Sequence, residues 1–226
     1  MTDIFSFWIR GDLTHVNYLC DRSFKEKGHN LIIYSYTDLK NLNAEIRDAR
    51  EILPENEIYI YKYFPPSMQL GGFAERLKAE MVNKIGGTHI DLDVVALHNL
   101  DFESDYIFRS HPQGIVYNFV KATANSEFSK FYVEWTKNIS QENSDWELSF
   151  KGMMNFFKKY PEMLQFLKSE EELGSDKYEY WKDFIDTDKI PSDKLKMIHF
   201  CGSSQFYQNY KKGSYYEFLL KQYNLV

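Results

Sequence analysis

Residues 4–36 read IFSFWIRGDLTHVNYLCDRSFKEKGHNLIIYSY, and this stretch decides the fold class. Residues 4–9 form a short apolar run ended by Arg10-Gly11, the pattern of a buried strand. Asp12 is placed to cap a helix in which Leu13, Val16, Asn17 and Cys20 share one side, and Gly28 stops it. Residues 31–36 are β-branched and aromatic, which reads as a second strand. A strand, a helix and a strand in so short a span make a βαβ unit, the opening of a parallel sheet.

Working outward, the spacing predicts a short helix over residues 43–52, halted before Pro54, and a third strand over 57–61. Pro65-Pro66 and Gly71-Gly72 bracket a loop. Phe73, Leu77, Met81, Val82 and Ile85 then recur with helical spacing, and Gly86-Gly87 ends that helix because glycine tolerates the left-handed backbone of a C-cap. Residues 88–91, 106–108 and 115–117 read as strands. Beyond about residue 127 the pattern turns helical, over 128–139, 148–160 and 161–173. Residues 174–192 are polar and loop-like, 196–200 read as a last strand, and 215–223 as a terminal helix. The expectation is one α/β domain over residues 1–226, with a mostly parallel central sheet and a helical C-terminal half.

Composition removes several function classes. The net charge is −6, whereas domains that grip a phosphate backbone are usually basic, so nucleic acid is not an expected partner. No apolar run reaches the roughly 18 residues that span a bilayer. The N-terminus lacks a basic segment followed by an apolar one, so no signal peptide is expected and the reading is cytoplasmic. Cys20 and Cys201 lack zinc spacing and read as small buried hydrophobes in a reducing compartment. Aromatic residues make up 17% of the chain, which excludes disorder.

The chemistry concentrates in residues 86–97, Gly-Gly-Thr-His-Ile-Asp-Leu-Asp-Val-Val-Ala-Leu. Side chains two apart on a strand share a side, so Asp91 and Asp93 can converge on one ligand where the strand runs out. That is where open α/β sheets bind ligands. Two carboxylates there suit a hard divalent cation, Mg²⁺ or Mn²⁺, with positions open for phosphate oxygens. A capping or turn pair is the bland alternative. A second Asp-x-Asp, Asp186-Thr187-Asp188, sits in a polar stretch beside Pro191 and reads as solvated loop. His199, near the end of the last strand, can add a neutral imidazole to the aspartate pair. His15, His29, His98 and His111 lack such company.

This segment resembles the DXD glycosyltransferases of GT-A fold, especially the family 32-type and capsular polysaccharide sugar transferases. Those carry F-S-D-x-x-R, a helix, G-G-x-x-x-D-x-D-V-x-x-L, and an aspartate-rich segment leading into a strand. Here residues 73–78, Phe-Ala-Glu-Arg-Leu-Lys, stand in for the first phrase, residues 86–97 follow the second, and residues 101–108 follow in step. The family's Asp is Glu75, and its Arg is Lys78, or Arg76 if the register slips by two. Residues 197–204, Met-Ile-His-Phe-Cys-Gly-Ser-Ser, are similar to the H-F/Y-x-G segment of retaining members.

The resemblance implies a metal-dependent, retaining enzyme that moves a sugar from a nucleoside-diphosphate sugar to a glycan or other saccharide acceptor. Asp93 and His199 would ligate Mn²⁺ or Mg²⁺, with Asp91 on the ribose and sugar hydroxyls or on the metal through water. Glu75 and Lys78 would orient the donor sugar. Asn118, which falls where the family often has an Asn leading into a helix, and nearby acids are candidates to support its β-face. Phe7, Trp8, Arg10 and Gly11 follow the family's opening phrase, which holds the nucleotide, and Tyr36 and Leu92 join them. Gly202 and Ser203 would approach the diphosphate, with Lys211 or Lys212 replacing an absent lysine. Residues 1–110 would form the nucleotide-sugar half and 111–226 the acceptor side, where Trp135, Trp146, Tyr178, Tyr180 and Trp181 could stack on sugar faces, although most of them read as packing. Two rivals remain open: a nucleotidyltransferase using paired aspartates and metal, and a non-catalytic carbohydrate-binding protein of the same fold.

Overall fold

The computed structural model describes residues 2–111, 114–140, 142, 148–201 and 206–226. Strand β1 (Thr2–Trp8), helix α1 (His15–Glu26) and strand β2 (His29–Ser35) form the expected βαβ unit. β1 and β2 pair in parallel from Thr2 opposite His29 to Trp8 opposite Ser35. Alternation sorts their side chains onto two faces. Ile4, Leu31 and Ile33 pack with Cys20 and Phe24 of α1, while Phe5, Ile32 and Tyr34 pack with Phe73, Leu77 and Met81 of helix α2 (Gly71–Ile85). The cap of α1 is Thr14, not Asp12: its backbone N–H and its hydroxyl both donate to Asn17 Oδ1, at 2.7 and 3.0 Å.

The remaining strands are β3 (Glu45–Asp48), β4 (Gly87–Ile90), β5 (Val94–Ala96), β6 (Ile107–His111), β7 (Gly114–Ala122), β8 (Leu167–Lys168) and β9 (Met197–His199). Seven of them form one sheet in the order β3-β2-β1-β4-β7-β6-β8. β7 runs antiparallel to both its neighbours, β4 and β6, and every other pairing is parallel. The sheet is therefore mostly parallel, as expected. β5 and β9 pair separately, with Val94 opposite His199. Helices α3 (Glu127–Thr136) and α4 (Leu148–Lys159) pack on β7, and α5 (Glu170–Leu173), α6 (Tyr178–Asp186) and α7 (Tyr215–Gln222) complete the helical half.

Four of the expected elements take another form. Residues 43–52 hold β3 and a 3₁₀ turn at Ala49–Glu51 rather than a helix. The buried Asp21 carboxylate accepts the Asn43 and Ala44 backbone N–H groups at 2.8–3.0 Å, which draws this chain alongside β2. β3 is thereby the third strand in place of residues 57–61, where the chain forms a 3₁₀ turn at Glu55–Glu57 and a stretch whose Tyr59 ring packs edge-on against Tyr61 and Phe73. Residues 161–173 are a 3₁₀ segment, β8 and α5 rather than one helix. Residues 174–192 contain α6, whose Trp181, Phe184 and Ile185 are buried at helical spacing.

His29 tests the packing of the βαβ unit. Its Nε2 accepts the Leu100 backbone N–H at 2.9 Å, so the fold needs a neutral ring, and burial lowers its pKa. The unfolded chain protonates this ring below a pH of about 6.5 while the folded chain resists, so stability is whole above that pH and falls as the medium acidifies. One such group gives a slope of up to ~1.4 kcal/mol per pH unit. His29→Gln retains an acceptor for Leu100 and is expected to flatten the fall in denaturation midpoint on acidification. An unchanged slope would assign the acid sensitivity elsewhere.

Candidate active site

The Asp-x-Asp turn begins where β4 stops and is held from several sides. The Asp91 N–H donates to the Asn118 carbonyl at 3.0 Å, and Val94 N–H closes the turn onto the Asp91 carbonyl at 3.2 Å. Ser6 Oγ donates to the Ile90 carbonyl and Asn17 Nδ2 to the Leu92 carbonyl, at 3.0 and 2.9 Å. Asn17 thus closes the capping box of α1 and fixes the middle of the turn at once. Leu92 is buried in the core, so its side chain anchors the turn. Asp91 and Asp93 stay partly accessible on either side of it.

β9 brings His199 to this turn. Its register opposite Val94 and the Phe200 N–H bond to the Asp93 carbonyl, 3.1 Å, set the imidazole beside Asp93. His199 Nε2 lies 3.1 Å from Asp93 Oδ1, and Nδ1 lies 2.9 Å from Asp176 Oδ1. Burial by itself lowers the His199 pKa, but Asp93, the Cys201 sulfur and Asp176 outweigh it and hold the ring well above its ordinary range. Ligand atoms of Asp91, Asp93 and His199 lie within 4.8 Å of one another, a spacing that could hold a metal ion. Asp176, His199 and Cys201 form a second such group, but there Arg109 Nη1 already sits 2.6 Å from Asp176 and supplies the positive charge.

Beneath His199 lies a polar network that the sequence reading missed. Arg109 in β6 is fully buried. Its Nε donates to the Leu173 carbonyl, Nη2 to the Gly174 carbonyl and Nη1 to Asn118 Oδ1, at 2.8, 2.9 and 2.8 Å. Asn118 Nδ2 donates to Asp176 Oδ2 at 2.8 Å, and His111 Nε2 lies 3.8 Å from the same oxygen. Burial would raise the Asp176 pKa, but His199 and Arg109 drive it far below the usual carboxylate range. The β6–β7 register shifts between Phe108 and Arg109, and Asn118 falls in the skipped part of β7, a bulge that re-aims side chains. Asn118, expected on the way into a helix, is therefore mid-strand. A charged residue inside Tyr-Ile-Phe-Arg was a readable signal for Arg109, whereas Asp176 had none in its polar surroundings.

On the other flank, α2 supplies Glu75 and Lys78. Lys78 Nζ lies 2.5 Å from Asp91 Oδ1 and 3.7 Å from Glu75 Oε1, and sits over the Phe7 ring at 5.7 Å. The Tyr132 hydroxyl, another residue the sequence reading missed, donates to Glu75 Oε2 at 2.5 Å. Burial would lower the Lys78 pKa, but Asp91 and Glu75 raise it above the ordinary value, so the amine stays charged. Burial, aided by Asp91, raises the Glu75 pKa against the opposing pull of Lys78 and Tyr132. Arg76 instead pairs with Glu57 at 2.5 Å. Lys78, without the register slip, is the cation that faces the aspartates.

The other expected residues divide. Trp8 Nε1 donates to the Gly11 carbonyl at 2.9 Å, which folds the exposed Arg10-Gly11 turn back on β1. Tyr36 is buried and its hydroxyl donates to the Leu53 carbonyl at 2.7 Å. Gly202, Ser203 and Trp146 lie outside the described residues. Lys211 pairs with Asp186 at 3.8 Å. Asp186, expected in a loop, ends α6 and is also paired with Lys182. Trp181 is core, and Trp135 Nε1 donates to the Leu148 carbonyl at 2.9 Å.

No protein-family model and no curated protein matches this chain. Among solved structures, the PaToxG glycosyltransferase is similar at 12% identity and a TM-score of 0.56, over 73% of this chain and 70% of that one. The galactosyltransferase LgtC, solved with donor and acceptor sugar analogs, is aligned over 67% of this chain and 70% of its own, at 10% identity and a TM-score of 0.34. The likeness to PaToxG shows a shared fold, the GT-A-like α/β architecture.

Arg109 has a direct test. Its removal leaves Asp176 buried without its guanidinium, a class of change that costs about 3–5 kcal/mol. Arg109→Met is expected to lose that much in urea denaturation. A loss under about 1 kcal/mol would mean that the pair is not coupled in the folded chain.

Proposed function

We propose that this chain is a glycosyltransferase that moves a sugar from a nucleoside-diphosphate sugar to a saccharide acceptor, with a divalent cation in its site. The observation that carries the reading is the meeting of Asp91, Asp93 and His199 within 4.8 Å, in a fold shared with a glycosyltransferase. Two carboxylate oxygens and an imidazole nitrogen suit Mn²⁺ or Mg²⁺ and leave coordination positions for phosphate oxygens. Asp93 and His199 are the ligands, and Asp91 reaches the ribose and sugar hydroxyls, or the cation through water. When bound, the cation offsets negative charge that gathers on the departing diphosphate.

In the reaction the bond from the anomeric carbon to the diphosphate oxygen breaks, and that oxygen leaves with the electron pair. The acceptor hydroxyl oxygen bonds to the anomeric carbon, and its proton passes to the departing diphosphate. Glu75 accepts a donor-sugar hydroxyl, and Lys78 steadies both Glu75 and Asp91 so that neither carboxylate is repelled from the sugar by the other. Lys supplies a point charge where the family uses the forked guanidinium, so hydroxyl positions are discriminated less sharply. Phe7, Trp8, Arg10 and Gly11 lie at the end of β1 on the nucleotide side. Retention of the anomeric configuration is what the sequence resemblance implies.

Calorimetry with UDP- and GDP-sugars, with and without Mn²⁺, tests the reading. Binding of at least one sugar nucleotide is expected to require the metal. Asp93→Ala is expected to remove that requirement together with the binding, and to slow sugar-nucleotide hydrolysis by at least about 100-fold. Equal binding with and without Mn²⁺, or an undiminished Asp93→Ala variant, would refute it. Binding of free saccharide but of no sugar nucleotide would make the chain a carbohydrate-binding protein.

A further inference from the structure

Three polar groups surround His199 Nδ1, and they make opposite demands on it. Asp176 Oδ1, at 2.9 Å, is an acceptor, and Asn118 Nδ2, also at 2.9 Å, is a donor. Cys201 Sγ lies further off, at 3.5 Å, where a thiol is weak in either role. The Asn118 amide cannot turn to resolve the conflict, because its Oδ1 receives the Arg109 Nη1–H at 2.8 Å. A protonated Nδ1 satisfies Asp176 and crowds the second amide N–H, the first being given to Asp176 Oδ2 at 2.8 Å. A bare Nδ1 satisfies Asn118 and turns its lone pair on the carboxylate. The tautomer decides which ring nitrogen has a lone pair for a metal, because only the nitrogen without the proton can ligate.

At Nδ1 charge favours Asp176, while Asp93, 3.1 Å from Nε2, holds a second proton there until a cation takes its place. A hydrogen bond to an ionised acceptor is roughly twice as strong as a neutral one. The carboxylate is also fixed from beneath. Arg109 lies 2.6 Å from Asp176 Oδ1 and is itself bound to the carbonyls of Leu173 and Gly174. Gly174 permits this path: its φ is +76°, and a Cβ there would lie 2.9 Å from the Met197 carbonyl oxygen of β9.

We propose that Asp176 is a positioning residue that keeps the proton on His199 Nδ1, so that Nε2 is the nitrogen that sheds its proton and presents a lone pair when a cation binds beside Asp93, and that it does so against Asn118, which draws the opposite tautomer. The proposal rests on reading Asp91, Asp93 and His199 as the cation site. Carboxylate partners of metal-bound histidines recur in proteins for this reason, and their loss typically costs about 10–100-fold in metal affinity.

Two measurements on the full chain test it. Mn²⁺ alone, followed through the free-ion electron paramagnetic resonance signal, gives metal affinity without a sugar nucleotide. Nitrogen-15 NMR of the metal-free protein, with His199→Gln to identify the peaks, shows which ring nitrogen is protonated. Asp176→Ala is expected to weaken Mn²⁺ binding about 10–100-fold and to leave Nδ1 bare at about pH 8, above the ordinary histidine range. Asp176→Asn keeps an oxygen acceptor and is expected to stay within about threefold of wild type. Adding Asn118→Ala to Asp176→Ala removes the competing donor and should recover part of the affinity.

The proposal is overturned if Asp176→Ala binds Mn²⁺ as wild type does, or if its Nδ1 stays protonated. Should Asp176→Ala fail to fold, Asn118→Leu decides. Affinity equal to or tighter than wild type supports Asp176 as the orienting partner, and a drop of more than about tenfold assigns that role to Asn118. A wild type that binds no Mn²⁺ removes the cation from the functional reading, while the Nδ1 state in Asp176→Ala still decides the tautomer.

Discussion

Mutual repulsion among four carboxylates is the constraint around which this site is built. Glu75, Asp91, Asp93 and Asp176 crowd the place where β4 runs out, and a buried carboxylate without a partner costs several kcal/mol. The structure answers with cations set between them. Lys78 lies between Glu75 and Asp91, His199 between Asp93 and Asp176, and Arg109 beneath Asp176. The three cations come from α2, β9 and β6, so the charges balance only when distant parts of the chain have come together. Site and fold are therefore coupled: an element out of place leaves a charge buried and alone.

The backbone makes room for this arrangement through one reversed strand. β7 runs against β4, so its middle passes beside the start of the Asp-x-Asp turn and its carbonyl at Asn118 takes the Asp91 N–H. The register shift between β6 and β7 then lets Arg109 and Asn118 meet beneath the turn rather than sit in an ordinary ladder. Across the turn, the small β5–β9 pair carries His199 in. Parallel strands alone would deliver the aspartates at a strand end but nothing to face them.

The parts legible in the sequence were those with a local pattern. The βαβ opening, helix α2 and the turn at Asp91 and Asp93 each carry their signal within about a dozen residues. Glu75 and Lys78 were found through a motif whose spacing matches one helical turn. Residues 43–52 were misread because what shapes them lies elsewhere in the chain: Asp21, on α1, holds the backbone of Asn43 and Ala44. Asp176 was invisible for the same reason, since its role exists only through Arg109 and His199, tens of residues away in either direction. α6 differs. Trp181, Phe184 and Ile185 have helical spacing, but the surrounding acidic and polar residues masked it.

The aromatic excess explains how a strand as short as β9 can hold His199 steady. Alternation sends Ile198 and Phe200 to one side, into a cluster with Trp181, Phe184, Tyr216 and Leu219. Met197 packs into a different cluster with Val94 and Leu173. Phe200 meets the Tyr216 ring at 5.0 Å, close to edge-on, and Phe184 meets Tyr180 at 5.5 Å in the same manner. Such pairs add about 0.5–1.5 kcal/mol each beyond their buried area. Two flanking residues locked among rings leave the His199 between them little freedom except to face Asp93. Trp181, expected on the acceptor side, works here instead: it belongs to the wall that holds β9 in register, and so acts on the site from behind.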